Sequence, residues 1–263
     1  MKKKSIIVLS LLSLGAFGAL AQTAAPAHDP SPFTANVNLT SNYKFRGQDQ
    51  GTLRTWSPAI QGGFDWTQNG WYVGNWDSNV SFGGNIEMDL YGGYRGEIVK
   101  DLGYDVGILE YYYPHKGGFN YNTTEIYGAL SWQWLSFKYS HTVSSDYFGI
   151  GQAQEAAGAS PRPSGRNTGY LDLSANYPVI DKLTLNAHLG YTHLASKLRT
   201  ATVTTGGVMT SVGLPSFYDY KLGLTYDLGS GFSVAGALVG ASKKSFYGDV
   251  NKAHPILTLS KTM

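Results

Sequence analysis

Residues 183–191 alternate one by one: Leu183, Leu185, Ala187, Leu189 and Tyr191 fall on one side, Thr184, Asn186, His188 and Gly190 on the other. A period of two is what an extended strand with two different environments requires. The pattern returns over 218–226, where Tyr218, Tyr220, Leu222, Leu224 and Tyr226 interleave with Asp219, Lys221, Gly223 and Thr225. Shorter versions set Leu171 and Leu173 against Asp172 and Ser174, and Phe137 and Tyr139 against Lys138 and Ser140. Ile86, Met88 and Leu90 likewise interleave with Glu87 and Asp89.

Turn signals divide the chain into about twelve such segments. They lie near 33–45, 56–67, 71–79, 85–96, 103–112, 123–133, 135–146, 167–177, 182–194, 216–227, 231–241 and 254–262. Long connections at 46–55, 114–122, 147–166, 196–215 and 243–253, with an intermediate one at 81–84, take turns with short ones at 68–70, 99–102, around Trp134, 178–181 and 228–230. A soluble sandwich has no reason to sort its loops by parity. A barrel standing in a membrane has one, because its two ends face different compartments. The expected fold is therefore all-β: a closed, antiparallel, up-and-down transmembrane barrel with short periplasmic turns and longer extracellular loops. An even strand number puts both termini on the periplasmic side.

The start of the chain agrees with export. Lys2, Lys3 and Lys4 precede an apolar run over 6–14 and a small-residue stretch ending Ala19-Leu20-Ala21, the layout of a secretory signal peptide with cleavage before Gln22. The expected division is a leader over 1–21, a short periplasmic segment over 22–32 and the barrel over 33–263. Removing the leader takes the formal charge from +2 to about −1, which gives no basic footprint for nucleic acid. With no cysteine, disulfides and thiolate metal sites are excluded. Charged residues make up 14% and aromatics 14%, with 19 tyrosines and 33 glycines. Few charges and many aromatics suit a sheet with one face in lipid and aromatic girdles at both interfaces.

Several stretches carry a family likeness: SNYKFRG at 41–47, GWYVGNWDSNV at 70–80, MDLYGGY at 88–94, YDVGI at 104–108 with YYYP at 111–114, LTL at 183–185 with HLGY at 188–191, and LSKT at 259–262. In order and over the mature chain, they resemble the TorF-type porin family. The resemblance implies an outer-membrane porin-like barrel and names no substrate. One departure stands out: the family pattern ends on an aromatic residue, whereas this chain ends on Met263 with Lys261 in the same register. The resemblance thus leads us to expect a weakened insertion signal, with Leu257 and Leu259 still supplying an apolar face.

A porin has no catalytic site; its work is done by the lumen and the loops. If the Leu/Tyr face meets lipid, the pore-lining candidates are Asn36, Asn38, Glu87, Asp89, Lys138, Asp172, Asn186, His188, Asp219 and Lys221. Both signs are present, so no strong ion selectivity is indicated. Pairing of these groups across the lumen would instead plug it. Lys44 and Arg46 are expected at the extracellular rim, facing solvent, anionic solutes or lipopolysaccharide phosphates. On length alone, the 147–166 loop is the expected constriction. Tyr111 to Tyr113, Trp66 with Trp71, Trp132 with Trp134, and Tyr226 read as girdle aromatics, with a carbohydrate slide as the alternative. His188 and His193 fall on opposite strand faces and cannot share a metal ion. His141 invites comparison with barrel phospholipases that carry a Ser–His pair on the lipid side, but no Gly-x-Ser-x-Gly elbow is present.

The function expected is passive diffusion of small hydrophilic solutes. The alternatives are a plugged adhesive barrel acting through its loops and a lipid hydrolase. No cofactor and no metal site is implied. The partners expected are outer-membrane lipid and lipopolysaccharide, the barrel-assembly machinery during insertion, and the solutes themselves.

Overall fold

The computed structural model describes residues 31–51, 56–82, 84–114, 118–205 and 207–263. The leader over 1–21 and residues 22–30 of the expected periplasmic segment lie outside the described residues. The barrel strands are β1 (Phe33–Thr40), β2 (Ala59–Gln68), β3 (Trp71–Asn79), β4 (Ile86–Val99), β5 (Leu102–Tyr112), β6 (Thr123–Trp132), β7 (Leu135–Thr142), β8 (Gly169–Ile180), β9 (Leu183–His193), β10 (Phe217–Gly229), β11 (Phe232–Ala241) and β12 (His254–Thr262). Each pairs antiparallel with its neighbours in sequence, and β1 pairs with β12 to close the barrel. Closure leaves no free edge, which is what lets strands cross a membrane. Among the described residues, no helix is long and apolar enough to do so.

At one end all five connections are two residues long: 69–70, 100–101, 133–134, 181–182 and 230–231. At Asn69 and Gly70 φ is 51° and 86°. Positive φ at both positions makes a type I′ turn, whose twist matches that of the strands it joins. Both ends of the barrel sequence meet on this side, where the Met263 amide donates to the Ala35 carbonyl at 2.8 Å. The other end carries 41–58, 80–85, 113–122, 143–168, 194–216 and 242–253. The parity of long and short connections is therefore real.

The outer face is a belt of Val37, Leu39, Ile60, Phe64, Leu90, Ile108, Ile126, Phe137, Leu173, Leu189, Leu224, Leu238 and Leu257, all exposed. Trp71, Trp132, Trp134, Tyr177, Tyr226 and Phe232 ring the turn end, and Tyr112, Tyr139, Tyr218 and Tyr220 the loop end. These are the two girdles a transmembrane barrel needs. Within the Tyr111–Tyr113 run only Tyr112 belongs to them, at 39% exposure; Tyr111 and Tyr113 are 3% and 1% exposed and point inward. Consecutive strand residues alternate faces, so three tyrosines in a row cannot share one girdle.

The barrel interior is not filled evenly. Tyr43, Tyr72, Trp76, Tyr91, Leu109, Tyr111, Tyr113 and Tyr127 form one packed cluster against β2 to β6. Two glycines make room for it. Tyr72 faces Gly93, Gly93 faces Gly107, and Gly107 faces Tyr127 across successive strands. A β-carbon on either glycine would strike the tyrosine beside it, at 2.5 Å from the hydroxyl. The opposite wall, β10 to β12, carries Gly223, Ala235, Ala237, Ala241 and Thr258 on its inner face. One half of the interior is thus aromatic and packed, the other lined mostly by small residues with Val239 and Ile256 among them.

Candidate functional site

All ten inner-face candidates occupy the inner side of the wall. Asn38, Glu87, Asp89, Asp172, Asn186 and Asp219 are buried there, and Asn36, Lys138, His188 and Lys221 are half-buried. They are not a diffuse lining. On β8 to β10 the imidazole of His188 lies between two carboxylates, with Nδ1 3.2 Å from Asp172 and Nε2 2.8 Å from Asp219. The Ser174 hydroxyl donates to Asp172 at 2.6 Å and lies 3.0 Å from His188 Nδ1. The Tyr170 hydroxyl donates to Asp219 at 3.1 Å. Serine, histidine and aspartate are all here, but carboxylates clamp both ring nitrogens, which leaves no free base to activate the hydroxyl. The arrangement is a charge clasp. On the neighbouring strand, Lys138 Nζ rests 3.9 Å from the Tyr127 ring centre, a cation–π contact.

The first connection does something its sequence did not announce. The expected strand 33–45 stops at Thr40, and Lys44–Phe45 pairs with Gln48–Asp49 in a small hairpin. This hairpin turns into the barrel mouth. Lys44 and Arg46 are therefore not rim cations facing lipopolysaccharide. Lys44 is buried 3.1 Å from Asp49, both side chains fully covered, and donates to the Val250 carbonyl at 2.9 Å. Burial lowers the Lys44 ammonium from its ordinary value, with Asp49 working against that shift. Arg46 reaches across to β6 and grips Glu125 with one nitrogen at 3.0 and 2.8 Å. It also donates to the Tyr147 hydroxyl at 3.1 Å and lies 4.1 Å from the Tyr170 ring centre. Next to it, Gly47 sits so close to Gly240 and Ala241 of β11 and Asp219 of β10 that no side chain fits.

The hairpin thus spans the mouth from β1 to both facing walls. The 147–166 loop, expected to constrict on length alone, braces it instead. Tyr147 and Phe148 pack on the hairpin, with the Phe148 ring 5.4 Å from Phe45. The helix that follows, Ile150–Ala156, is tied to the next long loop, where Gln154 donates to the carbonyls of Leu198 and Val212. A shorter loop won because it carries the arginine and aromatics that the wall can hold.

Other sequence readings are placed as follows. His188 points inward and His193 is exposed on the outer face, so the two histidines are on opposite faces. His141 is outward, its ring nitrogens 3.1 Å from the Tyr139 hydroxyl and 3.2 Å from Asn167 Oδ1. Neither neighbour is a serine. The interior tyrosines are buried against one another, so they present no open rings on which a sugar could slide. Lys261, in the final strand, donates to the Ser230 carbonyl and lies 4.6 Å from the Phe232 ring centre.

Among solved structures, the NanC porin matches with a TM-score of 0.53 at 11% identity, covering 88% of this chain and 98% of that one. The KdgM porin matches with a TM-score of 0.50 at 8% identity, covering 87% and 97%. At such identities the likeness is one of fold: a porin-type barrel of the same size. No curated protein matches the chain in sequence. A family described as bacterial protein of unknown function, Gcw_chp, matches residues 24–262. The chain belongs to the Gcw_chp family, whose member here is a closed twelve-strand barrel of the porin type.

Proposed function

We propose that this protein is a porin-like channel in the outer membrane of a Gram-negative bacterium, passing small hydrophilic solutes by passive diffusion. The observation that carries the reading is an inner wall that carries ionisable side chains of both signs, among them Lys138, His188 and Lys221, which are half-buried and not fully closed off from solvent. A wall meant only to pack would bury or omit them. Asn36, Asn186 and Asp172 complete the polar face on which a hydrated solute would travel. The basic and apolar start of the chain supports export through a cleaved leader, and the TorF-type likeness points to the same class of barrel. Lipopolysaccharide outside and the barrel-assembly machinery during insertion are the partners such a life requires.

The packed aromatic half and the roofed mouth favour a second reading, a closed barrel that acts through its long loops. Single-channel current through refolded protein in a planar bilayer separates the two. Discrete, reproducible steps are expected from the channel. Silence from a protein shown to be inserted would leave the loop-acting barrel. In the conducting case, Lys138→Glu is expected to move the reversal potential in a salt gradient toward cation preference. An unchanged potential would place the ion path away from β7.

A further inference from the structure

Beneath the hairpin lie three carboxylates, and its own turn carries one arginine, Arg46. Glu87 and Asp89 stand two residues apart on the inner face of β4, 1% and 2% exposed, and Glu125 is 1% exposed on β6. Arg46 is fully engaged with Glu125 and Tyr147. Glu87 accepts hydrogen bonds from the hydroxyls of Tyr43, at the base of the hairpin, and Tyr113. Asp89 receives none: its Oδ1 is buried without a partner, between its cross-strand neighbours Trp76 and Tyr111. The charges that act most on Asp89 are Glu87, Asp77 of β3 and Glu125, all of its own sign, and the cation Arg46. A buried carboxylate without a hydrogen bond is costly in its ionised form, and like charges that outnumber the one cation acting on it add to the cost.

We propose that the 44–49 hairpin is a proton-operated gate, seated while the Glu87–Asp89 pair holds a proton and released when both carboxylates are ionised. With both ionised, Asp89 holds a charge that has no hydrogen bond, beside that of Glu87 and shut away from water; hydration on release outweighs the lost attraction of Arg46, and a proton on the pair removes that drive. Acid therefore closes the mouth and neutral to alkaline conditions open it. Release moves Phe45 away from Tyr111 and lets water reach Asp89. Tyr43 leaves with the hairpin, so Glu87 also gives up one donor to water. The gate rests on the channel reading for its purpose, but the movement itself is measurable without any current.

The test is amide hydrogen exchange of the 41–50 segment in refolded protein, comparing the natural chain with Asp89→Asn at the same pH. Matched pH cancels the intrinsic chemistry of exchange. At about pH 5 the two are expected to exchange alike. At about pH 8 the natural chain is expected to exchange at least ~10-fold faster, an opening difference of about 1.4 kcal/mol. Equal rates at both pH values would overturn the proposal, as would a response to sodium or magnesium concentration in place of pH. Glu87→Gln, which keeps an acceptor for the tyrosines, is expected to behave like Asp89→Asn and guards against a folding artefact of either variant. Conductance then separates the two ideas. pH-dependent exchange without current sinks the channel and keeps the gate, whereas current with pH-independent exchange does the reverse.

Discussion

Arg46→Met is expected to cost about 3–5 kcal/mol of stability and to unseat the hairpin. The arginine and Glu125 are both buried, with side-chain exposures of 6% and 1%, and their closest approach is 2.8 Å. Methionine fills much of the same volume, so lost packing contributes little to the effect. What remains is a carboxylate shut away from water with its hydrogen-bonded ion-pair partner gone, and that is the expensive half of breaking a buried pair. The expected readout is a lower urea midpoint for the refolded barrel, with faster exchange over 41–50. Adding Glu125→Gln should restore most of the stability while leaving the hairpin loose, because the stranded charge is gone and the tether with it. A single-variant loss below about 1 kcal/mol, the range of exposed ion pairs, would show that Arg46 does not hold the mouth.

Gly93→Val is expected to prevent the barrel from closing correctly, with a loss at or above the ~3 kcal/mol that marks severe overpacking. A β-carbon at Gly93 would meet the carbonyl oxygen of Val106 and the ring of Tyr72. Side chains can rotate away, but a backbone carbonyl in a hydrogen-bonded ladder cannot move alone. The contrast is Gly128, on the outer face of β6, where an added β-carbon meets nothing within 4 Å. Gly128→Ala should change stability by no more than about 0.5 kcal/mol, as open surface positions do. Heat-modifiable migration in detergent gels distinguishes the closed barrel from the unfolded chain. A normally closing Gly93→Val barrel would mean that the close seating of Tyr72 and Tyr127 against Gly93 and Gly107 is not needed for the wall.

The strands and the parity of the loops could be read because both are local. Alternation over 183–191 states which residues share a face, and spacing between turn signals states where the chain reverses. The hairpin could not be read that way. Residues 41–47 look like the tail of a strand followed by solvent-facing cations, and only Glu125, Tyr147 and Tyr170, brought in from three other parts of the chain, give Lys44–Phe45 and Arg46 a reason to turn inward. Loop length pointed instead to 147–166, but length measures reach and says nothing about what a loop can hold on to. The tyrosines show the same limit. Tyr111 and Tyr127 belong to the interior because of the registers of β5 with β4 and β6, and a shift of one residue would turn them into lipid. Likewise, His188 was marked as lining. Its two carboxylate neighbours became visible only when β8 and β10 flanked β9.

Every pairing in the wall except one joins strands that follow each other in the chain, and that one, β1 with β12, joins Asn36 to Thr262 and Thr40 to Thr258. The hairpins can form as soon as each pair of strands is made, so their contacts are short-range and kinetically cheap. Closing the ring requires the first and last strands to find each other across the whole barrel sequence, and none of its stabilisation arrives before that search is over. The final meeting of first and last strands is therefore the step at which an unfinished sheet, with both edges bare, is most exposed to pairing with the wrong chain.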